Sequence, residues 1–200
     1  MRSPADTPVT FAITGASGAP YAVRLLRALN DTGTPTRLIV SSYGLRLLSA
    51  EAGIDGIEAL RAATGDWTRV ELYESDDRGA TPASGSAPSR GMVVCPCSMG
   101  TLASIAAGTS RNLVERAGDV ALKERRPLIL VPRETPLSLI HLENMVRLTR
   151  AGATILPASP GFYHRPQKIE ELVDFVVARI LDHLGVDFPA PRWKSGELDE

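Results

Sequence analysis

The chain has 200 residues, of which 44% are hydrophobic and 22% are charged, so it is long enough to bury the core of one globular domain. Its formal net charge of −1 provides no cationic excess for binding nucleic acid or an anionic membrane surface. No apolar run approaches the roughly 20 residues that cross a bilayer, and together these features are typical of a cytoplasmic enzyme or binding protein.

The chain begins with a polar, proline-bearing segment, and short apolar runs then recur along it. Residues 1–8 are unlike a signal peptide, and we predict that they are flexible. Five runs that are apolar on both faces predict buried parallel strands. These runs are Val9–Thr14, Thr36–Ser41, Met92–Cys95, Pro127–Val131 and Ala153–Leu156.

Helical periodicity fills the intervals between these strands. Apolar residues spaced by three and four positions predict helices over 22–29, 140–148 and 169–184, and a further helix is predicted at Tyr43–Ala50. Strands that alternate with helices predict an α/β fold, in which a doubly wound, mostly parallel sheet forms a single domain over residues 9–184.

Two segments fall outside this alternation, and the two cysteines need a separate interpretation. Arg78–Arg90 is rich in Gly, Ala, Pro and Ser, and it is either a linker or an active-site loop, because loops longer than about 12 residues in compact domains are often functional. Residues 185–200 contain two prolines and a tryptophan, and we expect this tail to pack on a neighbouring subunit. Cys95 and Cys97 have no further ligands at zinc spacing, so we interpret them as core residues and expect no metal site.

The turn after the first predicted strand, Gly15-Ala16-Ser17-Gly18, indicates a phosphate site. A glycine-bearing turn that opens a helix presents backbone N–H groups to an anion at the positive end of the helix dipole. The turn lacks the middle glycine of a dinucleotide site, and the second strand ends in Ser41 and Ser42, without a carboxylate for a ribose. It also lacks the lysine of a P-loop and the last glycine of a nucleophile elbow.

Serine-bearing turns follow three of the predicted strands. Ser17 follows the first, Ser41 the second, and the serine of Cys97–Thr101 the third. Each turn alone is typical of an ordinary helix N-cap. Because the carboxyl ends of parallel strands converge on one crevice, the three together favour a mononucleotide, FMN, whose phosphate has no second nucleotide to place.

Charged and aromatic residues follow the later strands. Arg133 lies just past the fourth strand on the crevice side, where a guanidinium can bind phosphate through two hydrogen bonds. Glu134 beside it can hold that arginine or tune a proton. We interpret Arg125 and Arg126 as solvated helix charges. Tyr163 follows the last strand and is either a ligand-contacting or a structural residue.

Five motifs, in family order over nearly the whole chain, resemble those of the UbiX-type flavin prenyltransferases, whose older relatives were named aromatic acid decarboxylases. The resemblance implies a flavodoxin-like Rossmann fold that assembles into a homo-oligomer, a dodecamer, with active sites where subunits meet. The motifs are TGASGA (Thr14–Ala19), PASGS (Pro82–Ser86), CPCSMGTL (Cys95–Leu102), RAGDVALKERRPLILVPRETPL (Arg116–Leu137) and GFYHRPQ (Gly161–Gln167).

The reaction that the resemblance implies joins a dimethylallyl group from dimethylallyl phosphate to N5 and C6 of reduced FMN, without a metal. The product, prenylated FMN, serves as the cofactor of a UbiD-type decarboxylase. The sequence lacks the aspartate-rich magnesium motif expected for ionisation of a diphosphate, which favours the monophosphate as donor. The choice between the two donors stays open at this point.

The resemblance also implies a role for each matching residue. Catalysis would involve Ser17, Glu51, Lys123 and Glu134, although Glu51 by itself is typical of a solvated residue at a helix end. FMN would be bound by Gly15, Ala16, Ser17, Ser41, Ser98, Met99, Gly100, Thr101 and Arg133. The prenyl phosphate would be surrounded by Ser84, Gly85, Arg116, Lys123, Glu134, Tyr163 and Arg179, and by Trp193, which we expect from a neighbouring subunit.

Two other classes of protein share parts of this pattern. FMN-dependent cysteine decarboxylases are similar in fold and cofactor, but they use a histidine after an early strand, and the first histidine here is His141. A non-enzymatic flavin-binding protein would not need Glu51, Lys123 and Glu134 together. The chain departs from the family pattern where Asp77-Arg78-Gly79 replaces an aromatic residue, so we expect a differently walled prenyl pocket.

Overall fold

Strands form where the chain has short runs of β-branched and other apolar residues that can be buried on both faces of a sheet. In the computed structural model, which describes residues 6–189, all strand pairs are parallel, which confirms the predicted sheet. The strands are β1 (Val9–Ile13), β2 (Thr36–Val40), β3 (Val70–Tyr73), β4 (Gly91–Cys97), β5 (Leu128–Pro132) and β6 (Thr154–Ile155). Their order across the sheet is β3-β2-β1-β4-β5-β6.

Helices cover both faces of this sheet, as a doubly wound fold requires. The first three helices and the last one share a core on one face, and the other three share a core on the opposite face. They are α1 (Ala19–Asp31), α2 (Ser42–Ala52), α3 (Gly56–Thr64), α4 (Met99–Ala107), α5 (Leu113–Lys123), α6 (Leu139–Arg150) and α7 (Ile169–Leu184).

Four of these elements were not predicted from the sequence: β3, α3, α4 and α5. β3 is an edge strand in which Glu71 and Leu72 are exposed, so it lacks a run that is apolar on both faces. α4 is apolar along nearly its whole length and therefore shows no alternation of polar and apolar faces. In both cases the local pattern was too weak, and the partners that stabilise the element are distant in the sequence.

β4 is longer than predicted, and this extension sets up the site. The strand was expected to end at Cys95, but it continues to Cys97, which pairs with Pro132 after a shift in register beyond Val94. Ser98 is therefore the first residue past the strand and the N-cap of α4. The extension brings the end of β4 level with the turn that follows β1.

Cys95 and Cys97 are buried on opposite faces of the sheet, in agreement with their interpretation as core residues. Burial raises the pKa of both thiols, to about 12 for Cys97. Among residues 6–189, no three His, Cys, Asp or Glu side chains are grouped to hold a metal ion. No helix of that same range is long and apolar enough to cross a membrane.

Both ends of the described chain are held by contacts with the domain. Pro8, within the segment predicted to be flexible, accepts a hydrogen bond from the Arg90 N–H at 2.9 Å, and Asp6 pairs with Arg69 at 2.9 Å. The first part of the tail, residues 185–189, packs on its own chain, because Val186 and Phe188 are buried in the core beside α1 and α7. The remainder of the tail, with Trp193, lies outside the described residues.

Gly44 allows the first turn of α2 to approach the end of β1. A Cβ atom at this position would lie 2.6 Å from the carbonyl oxygen of Ile13, which is backbone and cannot move aside cheaply. We expect Gly44→Ala to lower the free energy of unfolding by about 1–3 kcal/mol, measured by denaturant unfolding. Gly79→Ala is the matched control, since its nearest neighbour would be a side-chain oxygen at 3.4 Å. Equal stability of the two variants would contradict this account of the helix–strand contact.

Candidate functional site

A polar cleft of about 280 Å³ opens at the carboxyl ends of the central strands. Its position agrees with the crevice predicted from the three serine-bearing turns. The cleft combines predicted FMN-binding residues with residues that the sequence did not single out. It is lined by Thr14, Gly15, Ser41, Ser42, Tyr43, Ser75, Ser98, Thr101, Asn112 and Val114.

Two of the predicted serines begin helices at the rim of this cleft. The Ser41 hydroxyl accepts a hydrogen bond from the Gly44 N–H at 3.0 Å, and the Ser98 hydroxyl accepts one from the Thr101 N–H at 3.2 Å. Both residues are therefore N-caps and also line the cleft. The positive ends of α2 and α4 consequently face the same space, which is suited to an anion such as a phosphate.

Thr14 joins the ends of β1 and β4 beneath this rim. Its hydroxyl donates to the Pro96 carbonyl at 2.8 Å and accepts from the Ser98 N–H at 2.9 Å. Thr14 is 2% exposed, so both bonds are shielded from water. In the sequence, Thr14 ends a predicted strand and opens the TGASGA motif, and neither feature predicts its bridging hydrogen bonds.

The turn after β1 packs closely against α2. A Cβ atom at Gly15 would lie 2.5 Å from Cβ of Tyr43, so only glycine fits without moving that helix. Ala16 and Met99 were both predicted to bind FMN. Ala16 is buried within this turn, and Met99 is buried in the first turn of α4. Gly100 is exposed at the start of α4.

Glu51 lies at the positive end of α1 and is not a freely solvated residue. One oxygen of its carboxylate accepts hydrogen bonds from the N–H groups of Gly18 at 2.8 Å and Ala19 at 2.9 Å. Burial acts to raise the pKa of Glu51, but these two bonds, a hydrogen bond with Ser17 and the charge of Arg133 outweigh it and lower the pKa. The carboxylate is thus held ionised beside the turn.

Arg133 and Glu134 follow β5, next to the same turn. Arg133 Nε donates to the Ser17 carbonyl at 3.3 Å, so its cation lies close to both Ser17 and Glu51. Glu134 accepts a hydrogen bond from the Thr135 N–H at 3.1 Å and is exposed. Ser17, Glu51 and Arg133 therefore form one polar group at the turn beside the cleft.

A second polar group lies at the C-terminal end of α5, opposite to the end at which Asn112 lines the cleft. Lys123 pairs with Glu124, and a Cβ atom at Gly85 would lie 2.6 Å from Lys123 Nζ, so the loop approaches the ammonium closely. The Ser84 hydroxyl lies 2.9 Å from that of Ser86. The structure thus brings together three residues predicted to bind the prenyl phosphate.

Arg126 corrects one interpretation made from the sequence. Its guanidinium Nη2 donates to the Gly85 carbonyl at 2.6 Å, so it holds the loop and is not simply a solvated helix charge. The segment Arg78–Arg90 is indeed a loop, with one short 3-10 turn at Thr81–Ala83. Because Arg126 fixes this loop next to Lys123, the loop is better suited to an active site than to a linker.

In one chain, the cleft and the Lys123 group are separated by the length of α5. A helix rises by about 1.5 Å per residue, so Asn112 before its first turn and Lys123 at its end lie about 16 Å apart. Arg116 lies between them and pairs with Asp119 at 2.7 Å. A single copy therefore presents the cleft and the Lys123 group as separate surfaces.

Two further predicted residues lie around α7. The Tyr163 ring packs edge-on against Phe175, at 5.7 Å between ring centroids, and is 40% exposed. Arg179 pairs with Asp182 at 2.8 Å on the helix surface. These side chains belong to neither of the two polar groups just described.

Glu115 is a buried carboxylate that the sequence analysis did not identify. It is 3% exposed and accepts hydrogen bonds from the Arg111 backbone and side chain and from the Thr109 hydroxyl. Burial acts to raise the pKa of Glu115, but these bonds and the Arg111 charge outweigh it, and its pKa is lowered.

The lowered pKa of Glu115 predicts a pH-dependent contribution to stability. A carboxylate with a lowered folded-state pKa stabilises the protein above its ordinary value of 4.5, and this contribution is lost as the pH falls through the folded-state value. We expect Glu115→Gln to lower the free energy of unfolding strongly at about pH 7 and much less at about pH 3. Denaturant unfolding at both pH values, with the exposed Glu143→Gln as control, checks this. The same loss at both values would contradict it.

Comparisons with known proteins agree with this geometry. A flavoprotein family matches residues 2–181. The flavin prenyltransferase UbiX of Pseudomonas aeruginosa is 48% identical over 199 residues, covering 95% of each chain. The UbiX of Synechocystis is 45% identical and covers 94% of this chain and 97% of its own.

Solved structures give the same relationship. AnUbiX (PadA1), crystallised with FMN and dimethylallyl pyrophosphate, is 40% identical with a TM-score of 0.90, covering 96% of this chain and 100% of that one. A dodecameric FMN-dependent Ubix-like decarboxylase from Escherichia coli O157:H7 is 42% identical with a TM-score of 0.88, covering 94% and 100%. The chain therefore belongs to the UbiX-type flavin prenyltransferases within the flavoprotein family.

Proposed function

We infer that this protein is a flavin prenyltransferase that joins a dimethylallyl group to N5 and C6 of reduced FMN. The observation that carries this conclusion is the cleft at the strand ends, lined by the N-caps Ser41 and Ser98, together with the ionised Glu51, which bonds to the turn after β1. The 48% identity to a flavin prenyltransferase over 199 residues supports the proposal.

The cleft suits FMN in chemistry and in shape. The N-termini of α2 and α4 and the hydroxyls of Ser41, Ser98 and Thr101 provide donors for a phosphate or a flavin oxygen. Gly15 keeps the turn tight where a Cβ atom would meet Tyr43. When bound, reduced FMN supplies the electron-rich ring that attacks the allylic carbon, and the residues around it bind and orient it.

Glu51 is the group best placed to move a proton. Its carboxylate is ionised, is anchored at the α1 N-terminus and lies beside Ser17, whose hydroxyl can relay a proton. Arg133 fixes the same turn from the other side. We propose that Glu51 takes up the proton released when the flavin carbon forms its new bond, and that Ser17 and Arg133 hold the geometry.

The Lys123 group is suited to the leaving phosphate. Ser84 offers a hydroxyl, Gly85 lets the loop approach without a side chain, and Lys123 provides an ammonium. In a site closed to water, these donors stabilise the charge that develops on the phosphate as the allylic bond breaks. We propose dimethylallyl monophosphate as the donor and Arg116, Glu134, Tyr163, Arg179 and Trp193 as further residues around it.

The complete site is proposed to form between copies of the chain. The cleft and the Lys123 group are about 16 Å apart along α5, too far for one small donor to touch both in a single copy. Exposed apolar side chains on α6, including Leu139 at 69% and Ile140 at 68%, support burial against other subunits. We propose a dodecamer and, as recipient of the product, a UbiD-type decarboxylase.

The test is an anaerobic incubation of the protein with reduced FMN and a prenyl donor, followed by mass spectrometry of the extracted flavin. We expect a mass gain of one dimethylallyl group with dimethylallyl monophosphate and a smaller yield with the diphosphate. A higher yield with the diphosphate would overturn the donor assignment alone. Unmodified flavin with both donors would overturn the proposed function and favour a non-enzymatic flavin-binding protein.

A further inference from the structure

Asn112 lies at the cleft but has no role in the reaction described above. It is the N-cap of α5, and its side chain lines the cleft together with Ser75. The next residue, Leu113, donates its backbone N–H to the Ser75 carbonyl at 2.8 Å. This bond fixes the beginning of α5 against the segment after β3, so the position of Asn112 at the cleft wall is defined by the fold.

The orientation of the Asn112 amide is set by Glu115. The Glu115 N–H donates to Asn112 Oδ1 at 2.9 Å, and Asn112 Nδ2 donates to Glu115 Oε1 at 3.1 Å. An ionised carboxylate only accepts hydrogen bonds, so the amide nitrogen must face it. One N–H of Nδ2 and one lone pair of Oδ1 then remain for another partner.

Glu115 is itself held rigidly. Its second oxygen, Oε2, accepts hydrogen bonds from the Arg111 N–H at 2.8 Å and from the Thr109 hydroxyl at 2.9 Å. Arg111 also donates to the Ser104 hydroxyl at 2.6 Å, which ties this network to α4. A buried carboxylate with this many partners has one orientation, and it transmits that orientation to Asn112.

We propose that Asn112 is a flavin-binding residue, with its remaining amide N–H donating to an oxygen of bound FMN, and that Glu115 is its positioning residue. The N-terminus of α5 then faces the cleft as a third positive helix end beside those of α2 and α4. The inference rests on the assignment of the cleft to FMN, and it deepens that assignment by adding a donor from a different part of the chain.

The test is a double-mutant cycle on the dissociation constant of FMN, measured by quenching of flavin fluorescence without a prenyl donor. Asn112→Ser keeps a good helix N-cap but removes the amide, and we expect it to weaken FMN binding about tenfold. Glu115→Gln places an amide N–H against Asn112 Nδ2, and two donors cannot bond to each other. We therefore expect the Asn112 amide to turn away and FMN binding to weaken by a similar factor. Because Glu115 acts through Asn112, Glu115→Gln is expected to cause no further loss in the Asn112→Ser background.

Each other outcome overturns the inference. Unchanged FMN affinity in Asn112→Ser would remove the proposed contact. If Glu115→Gln weakened FMN binding equally in the wild-type and Asn112→Ser backgrounds, Glu115 would not act through Asn112 and would be a purely structural residue. The control is Asp174→Asn, which breaks the ion pair with Arg24 between α1 and α7 and is expected to bind FMN normally. A tenfold weaker binding of FMN by this control would mean that all the effects result from lower stability. Wild-type protein that does not bind FMN would overturn the proposed function as well.

Discussion

Glu51→Gln is expected to retain FMN and to slow prenyl transfer by about 10²- to 10⁴-fold, the usual contribution of a positioned acid–base group. One Glu51 oxygen accepts both α1 hydrogen bonds, from Gly18 and Ala19, and a glutamine oxygen can accept the same two. The variant therefore keeps the turn in place and removes the proton acceptor alone. Single-turnover transfer, with FMN affinity determined separately, measures the two effects.

The matched control for this prediction is Glu58→Gln, an exposed glutamate in the first turn of α3. We expect it to transfer at the wild-type rate. A wild-type rate in Glu51→Gln would show that the ionised carboxylate at the α1 N-terminus takes no part in the chemistry. Loss of FMN from Glu51→Gln would show instead that it holds the binding turn.

Lys123→Ala is expected to reduce prenyl transfer by about 10²- to 10³-fold and to leave FMN affinity unchanged. The ammonium is proposed to stabilise the leaving phosphate, and removal of one such donor has an effect of this size. FMN affinity is expected to be preserved because the proposed contact of Lys123 is with the phosphate of the prenyl donor and not with FMN. Transfer rates at several donor concentrations, with FMN binding measured in parallel, check both parts.

Lys168→Ala removes the same type of side chain at the N-cap of α7 and is the control. We expect normal transfer and normal FMN binding in this variant. If Lys123→Ala transferred at the wild-type rate, the group formed with Ser84 and Gly85 would not be the phosphate site. If it lost FMN, Lys123 would contact the flavin and not only the phosphate of the donor.

The strands at the centre of the sheet were predicted from the sequence, because a buried parallel strand can be identified from its own short run of apolar residues. The four central strands are apolar on both faces, and the turns after β1, β2 and β4 contain the serines that line or adjoin the cleft. The edge strand β3 was missed because half of it is exposed. Its end nevertheless supplies Ser75 to the cleft.

The missed parts of the site depend on contacts between distant residues. The Glu51 carboxylate meets the N–H of Gly18 across 33 positions of sequence, and no local pattern encodes that contact. Asn112 lies just before the motif Arg116–Leu137 and outside every quoted motif, and neither α5 nor its N-cap was predicted. Short-range patterns thus predicted the serine-bearing turns, and the packing of helices against the sheet determined which other side chains join them.

The central proposal is that a working site combines the cleft of one copy with the Lys123 group of another. Mixed oligomers of Glu51→Gln and Lys123→Ala, prepared by joint refolding or co-expression and verified by mass, test it directly. Some sites in such oligomers pair an intact Glu51 with an intact Lys123. We predict that prenyl transfer recovers well above that of either variant alone. Mixed oligomers as inactive as the two parents would contradict the claim and place both residues in a site formed by a single chain.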